Sequence, residues 1–442
     1  MNTAIKTTKS ATKFTGSRMI AAGGLIYAFV GALGLTVAQL SNAYMVLDPA
    51  VTMNRTVLGL GFQAFILLQG LTAPLVGLLI AKKGARFSYI LGSTITAIMG
   101  ALLAIFLGGN AVFYVLGFGV IMSYGCMSAG AIPTFTTLNN WYKLNRGRAI
   151  SIALIIGATI AVFYPLITNW VIKLFSWHSG YWLVAGFAVI GLLLSIFVIK
   201  DKPADVGQEM DGGATAFKKG ASKKSYISRV YQTMENKSAL EAVKTPAFWF
   251  IGLTAFTCFA ALNLNVSQAG LYFVSQGLTL DDVSVALSLK AIGGIAALLF
   301  CSFLIDRVEP IRVHGLAALL MGLGALVTVL VGGSMIIMIA YYVIVGLGFA
   351  THNACLPAEL ANIFGNVHYS KIHGWLLPII AVLASFVPTI AGTVFDVTGS
   401  YVPAFIGLAI IGLAGFISSC LVRVPKTKVA ANANADSEPK PK

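Results

Sequence analysis

Twelve apolar runs of about twenty residues or more divide this chain, at roughly 19–42, 57–81, 88–108, 111–137, 149–172, 181–199, 247–275, 281–305, 313–333, 335–363, 373–395 and 402–422. A run of that length is what an α-helix needs to cross a hydrocarbon layer about 30 Å thick. Hydrocarbon leaves no backbone N–H or C=O a partner outside the chain, so runs of this kind fold as helices that satisfy those groups internally. The chain is 57% hydrophobic and only 10% charged, whereas a soluble globule carries about 25% charged residues. The expectation is an all-α membrane protein with twelve transmembrane helices in two pseudo-symmetric six-helix bundles. Its parts are a tail over 1–17, a first bundle over 18–199, a linker over 200–245, a second bundle over 246–423 and a disordered tail over 424–442. The polar segment before Met19 leads into a full-length span, which argues against a cleaved signal peptide.

A formal net charge of +15 can mark a nucleic-acid partner, but the placement of the charges points elsewhere. One side of the twelve spans collects Lys82, Lys83, Arg86, Lys143, Arg146, Arg148, the basic linker, Arg307, Arg312, Lys371 and both tails. The other holds Arg55 and Lys173 with Asp48, Asp281, Asp282 and Asp396. That asymmetry follows the positive-inside rule and puts both termini in the cytoplasm, with membrane lipid, not nucleic acid, as the partner of the basic surface. The compact loops suit a prokaryotic inner membrane.

Lys290 breaks the pattern, because it lies inside the eighth span while every other Lys or Arg sits at or beyond the end of one. An ammonium in hydrocarbon costs at least about 2.5 kcal/mol, so it needs a partner, a cavity or the interface. Facing a cavity, it would attract an anion. Alternatively it snorkels outward, since Asp306 lies sixteen residues on, about 24 Å at helical rise.

Other polar residues at depth are candidates for hydrogen bonding to a substrate or between helices. They are Tyr124 in span 4, Tyr164 before Pro165 in span 5, Asn263, Asn265 and Gln268 in span 7, and Tyr341 and His352 in span 10. His352 would suit proton coupling, its ordinary pKa of about 6.5 lying in the physiological range, or it is a satisfied core residue. Glu359 is expected to brace the inner gate. Cys126, Cys258, Cys301, Cys355 and Cys420 show no paired-ligand spacing, and read as small packing residues, not as disulfides or a metal site. There is no phosphate-cradling loop and no metal-ligand motif, so no enzyme activity and no cofactor is expected.

The halves repeat one another. The turn from Gly77 to Arg86 after span 2 corresponds to Phe303 to Arg312 after span 8, with Ala81 opposite Asp306, and Trp141 after span 4 corresponds to Phe364 after span 10. Two anchors with nearly equal offsets indicate a duplicated six-helix unit, which places a substrate path between the halves.

These residues resemble the major facilitator superfamily. Asp306-Arg307 is similar to its cytoplasmic gate signature, and the first-half copy keeps Gly77, Gly84 and Arg86 but has Ala81 where the acid is usual. Asn140 to Ala149, Lys200 to Gly207 with Asp211-Gly212, and Ala391 to Phe405 resemble the monocarboxylate transporter and oxalate:formate antiporter branch. That branch commonly places an arginine where Leu298 stands, and its antiporters a lysine near Ile380. A span 4 tyrosine in substrate contact agrees with Tyr124. The resemblance implies a secondary transporter for a small organic anion, a monocarboxylate such as lactate, coupled to a proton or a counter-anion. The rival readings are carboxylate exchange, efflux of a neutral or cationic amphiphile, and a non-transporting sensor.

Overall fold

A computed structural model describes residues 14–51, 53–143, 146–213, 230–231, 233, 235–305, 307–365 and 367–424. Most of both tails, the middle of the linker and Asp306 lie outside the described residues. Among the described residues, twelve helices are long and apolar enough to cross a membrane: α1 Gly16–Leu47, α2 Arg55–Lys83, α3 Ala85–Phe106, α4 Ala111–Trp141, α5 Arg148–Leu174, α6 His178–Phe197, α7 Pro246–Ser275, α8 Leu280–Cys301, α9 Pro310–Val331, α10 Met335–Phe364, α11 Lys371–Thr398 and α12 Val402–Leu421. No β-strand occurs among the described residues. The chain divides into two compact units, Met1–Ser222 and Lys223–Lys442.

Local chemistry sets the helix ends. α2 starts where the Asn54 side chain accepts the Val57 N–H at 2.9 Å, and α10 where Ser334 accepts that of Ile337. α8 opens with a capping box, in which Thr279 Oγ1 accepts the Asp282 N–H and the Asp282 carboxylate accepts the Thr279 N–H at 2.9 Å. Two orphan amides are satisfied there, and the acids of the first turn meet the positive end of the helix dipole. α7 and α9 begin at Pro246 and Pro310, where a missing N–H costs nothing.

Each unit is built on the same skeleton. In the N-terminal unit α3 packs along α6 and α2 along α4; in the C-terminal unit α9 packs along α12 and α8 along α10. An arginine finishes each arrangement. Arg86 at the start of α3 donates to the carbonyls of Ser195 and Ile196 near the end of α6, and Arg312 at the start of α9 donates to the Ser419 carbonyl near the end of α12 at 2.8 Å. Carbonyls in the last turn of a helix have no partner within it, and a guanidinium supplies one.

Among the described residues, three helices contain π-helical stretches: Tyr27–Ala32 in α1, Val115–Met122 in α4 and Asn265–Ala269 in α7. Each inserts a wider turn and rotates the remainder of its helix away from the register of an ordinary α-helix. The two ends of the linker are tied down within their own units. Trp141 Nε1 donates to the Lys200 carbonyl at 2.9 Å, and the Tyr231 N–H donates to Glu309 at 2.8 Å. Burial raises the Glu309 carboxyl, against the opposing pull of the Tyr231 N–H and the Arg312 charge.

Candidate functional site

Lys290 lies in the middle of α8, half-buried. Its Nζ donates to Asn265 Oδ1 at 2.6 Å, and Asn265, fully buried, opens the π-helical stretch of α7. The partner is a neutral amide, and no carboxylate lies within ion-pair reach of Lys290 among the described residues. A charge-assisted hydrogen bond of this kind contributes about 1.5–3 kcal/mol but leaves the positive charge in place. Gly346 of α10 makes the arrangement possible. A Cβ there would collide with the Lys290 carbonyl oxygen and lie 3.1 Å from Lys290 Cγ, so only glycine lets α10 approach α8 this closely.

The π turn also explains two of the sequence candidates. Asn263 Nδ2 donates to the Ala384 carbonyl at 2.8 Å and Gln268 Nε2 to the Pro388 carbonyl at 3.3 Å, both on α11. In an α-helix, residues five apart point about 140° away from each other. The i→i+5 repeat brings them onto one face. Gln268 Oε1 also accepts the Tyr401 hydroxyl at 2.8 Å.

A second polar group sits in the core of the same unit. His314 Nδ1 is 3.0 Å from Glu359 Oε1 and His352 Nδ1 is 2.9 Å from His314 Nε2. The three residues are at most 2% exposed. Cys258 Sγ and ring nitrogens of His314 and His352 lie within 4.8 Å of one another. Glu359, assigned from the sequence to the inner gate, is thus placed as the hydrogen-bond partner of His314, and His352 is hydrogen-bonded within this cluster. His314 gives little sign of itself in the sequence because it stands only four residues into α9 and looks like a helix-end residue. The seven-residue spacing of His352 and Glu359, which puts them on one helix face, was the available signal.

In the N-terminal unit Tyr124 is half-buried on α4, and Tyr164 of α5 is buried. The buried hydroxyl of Tyr164 has no hydrogen-bond partner among the described residues, and that of Tyr341 faces the Asn265 side chain. The principal polar network of this unit is neutral: Asn42 Nδ2 donates to the Tyr114 hydroxyl at 2.6 Å, and the Tyr181 hydroxyl donates to Asn42 Oδ1 at 2.8 Å.

At the turn between α2 and α3, Gly84 has φ +87°, and a Cβ there would lie 2.6 Å from an Asp201 carboxylate oxygen. Asp201 Oδ1 accepts the Arg86 N–H at 2.8 Å. An acid from beyond α6 therefore serves this turn, at whose usual acidic position the sequence has Ala81. Gly77 lies within α2 with open space around it, and Arg307 is exposed. A groove of about 250 Å³ between α8, α9 and α10 is lined by Phe300, Leu316, Leu320, Ile344 and other side chains that bear no charge. It offers nothing to hold an anion.

The sequence profile of the Major Facilitator Superfamily matches residues 19–365 and 264–442. No curated protein sequence matches the chain. Among solved structures, a point mutant of a nucleoside transporter superposes with a TM-score of 0.72 at 12% identity, covering 93% of this chain and 100% of the other. A D-xylose-proton symporter gives 0.68 at 14% identity, covering 93% and 98%. A POT family transporter in complex with 5-aminolevulinic acid gives 0.68 at 13% identity, covering 90% and 95%. At such identities the likeness is one of fold.

Proposed function

The chain belongs to the major facilitator superfamily, and we propose that it is a secondary transporter that carries a small organic anion, a monocarboxylate such as lactate, by alternating access and together with a proton. The observation that carries this reading is Lys290, an ammonium in the middle of a transmembrane helix whose hydrogen-bond partner, Asn265, is neutral. That bond uses one of its three N–H donors, and no carboxylate among the described residues lies beside its charge. A carboxylate arriving there would gain a full ion pair in a low-dielectric setting. In the C-terminal unit we assign Tyr341 to the substrate path, and separately, in the N-terminal unit, Tyr124 and Tyr164, the latter with a buried hydroxyl that lacks a partner among the described residues. Asn263 and Gln268 hold α7 against α11 and shape that path. The basic ends of the helices face the cytoplasm, where Gly84, Arg86 and Arg307 act at the gate.

The absence of a carboxylate beside Lys290 among the described residues favours one second reading, exchange of one carboxylate for another without a proton. Both are tested in proteoliposomes with labelled lactate. Symport predicts uptake that rises with an inward proton gradient, and exchange predicts counterflow indifferent to it. Lys290→Ala should lower lactate flux roughly 10- to 100-fold, the loss of one charge-assisted hydrogen bond. Lactate flux undiminished in that variant would overturn the anion assignment and leave efflux of a neutral or cationic amphiphile.

A further inference from the structure

We propose that Cys258, His314 and His352 form a zinc site in the core of the C-terminal unit. The proposal stands apart from the organic-anion reading, which rests on Lys290.

Three helices bring the donors together: α7 supplies Cys258, α9 His314 and α10 His352. One ligand atom from each lies within 4.8 Å of the other two, and all three residues are buried. One thiolate and two imidazoles are a donor set for a borderline-soft divalent ion and a poor one for magnesium or calcium, which take oxygen ligands. The spacing is close to what zinc needs. With Zn–N bonds of about 2.0–2.1 Å, two nitrogens on a tetrahedral ion stand about 3.3 Å apart. His314 Nε2 and His352 Nδ1 are 2.9 Å apart, so a few tenths of an ångström of opening admits the ion.

The surroundings have the form that metal-bound histidines require. Glu359 Oε1 holds His314 Nδ1 at 3.0 Å, which fixes the ring so that Nε2 turns to the cluster, the usual role of a carboxylate behind a metal-bound imidazole. The charges also close: a dication is balanced by the Cys258 thiolate and the Glu359 carboxylate, with both histidines neutral. Glu359 Oε2 is buried without a hydrogen bond among the described residues, an arrangement that a strong positive charge nearby makes less costly. On binding, the Cys258 S–H bond breaks and a Zn–S bond forms, with that proton leaving to solvent; the proton His352 Nδ1 shares with His314 Nε2 shifts to His352 Nε2, so both facing nitrogens are free to ligate and the ring-to-ring hydrogen bond is given up. Three protein ligands leave the fourth position for water. Glu359 is a positioning residue and does not touch the ion.

The test uses the full-length chain purified in detergent, loaded with zinc and freed of excess by gel filtration. About one zinc per chain should be retained, as a three-residue site fixed by a carboxylate predicts. Cobalt loaded in its place should give a thiolate-to-cobalt band in the near ultraviolet. Cys258→Ser should abolish that band, His352→Ala should abolish retention, and Glu359→Gln should keep the band but weaken affinity roughly 10- to 100-fold. Zinc should raise the melting temperature of the wild type and not of Cys258→Ser. Wild-type protein emerging metal-free would overturn the proposal and leave a hydrogen-bonded core cluster. Equal retention in Cys258→Ser and His352→Ala would overturn it as well, placing the metal on surface groups such as Cys420.

Discussion

The two units share a skeleton and differ in what they bury. Arg86 and Arg312 close equivalent corners, yet every buried polar residue in the described N-terminal spans is uncharged, from Gln39 and Asn42 to Ser195, whereas the C-terminal unit buries His314, His352 and Glu359 and half-buries Lys290. The same pairwise helix packing serves both units, and the buried ionisable groups lie in one of them. Hydroxyls and amides are enough to fix helix against helix. Ionisable groups at depth are costly, and among the described residues that cost is carried by one unit.

The comparison can be broken most directly at the two cores. His314→Leu leaves the Glu359 carboxylate buried without its partner and should cost about 3–5 kcal/mol. The neutral counterpart, Asn42→Leu, strands two tyrosine hydroxyls and should cost about 1–3 kcal/mol. Thermal unfolding of the two variants in the same detergent gives the order. If His314→Leu melts no lower than Asn42→Leu, the charge asymmetry has no energetic weight. Next comes the loss of lactate flux expected for Lys290→Ala, against no more than a few-fold change for Tyr124→Phe in the neutral unit, where about 0.5–1.5 kcal/mol of hydrogen bonding is at stake.

A smaller effect separates two glycines of one motif. Gly84→Ala forces a side chain onto a backbone conformation that glycine alone adopts readily and against Asp201, at about 1–3 kcal/mol. Gly77→Ala meets open space inside a helix and should gain up to about 1 kcal/mol. Melting temperatures that move the same way would sink the assignment of Asp201 to this turn. The smallest expected change lies outside the helices. The Ala50 N–H and the Trp177 indole, donating at 3.0 and 3.1 Å, hold the Asp48 carboxyl below the usual carboxylate range. Its contribution is therefore full above the unfolded value of about 3.9 and is lost as pH falls through the lower native value. Asp48→Asn should flatten that part of the acid limb, read by unfolding between pH 6 and 3.

The fold was legible because hydrophobic run length and two repeat anchors are local or periodic properties of the sequence. Lys290 was legible too, as a charge where none is expected. Its partner was less so: Asn265 stood in a polar trio with Asn263 and Gln268, and only the π turn separates the residue that meets Lys290 from the two that meet α11. His314 and Asp201 were hidden for a different reason. Both lie near helix ends, where charged residues are commonplace, and their roles come from packing between segments 38 to 115 residues apart.

The wide turn at Asn265–Ala269 has a consequence for how sequences of this kind should be compared. One residue more than a regular helix would hold lets Asn263 and Gln268 grip the same neighbour, so deleting Val266 would swing everything beyond it by about 100° and strip Gln268 from Tyr401 while leaving the length and greasiness of the segment untouched. A single-position gap aligned there is therefore a change of wiring, not a trivial indel.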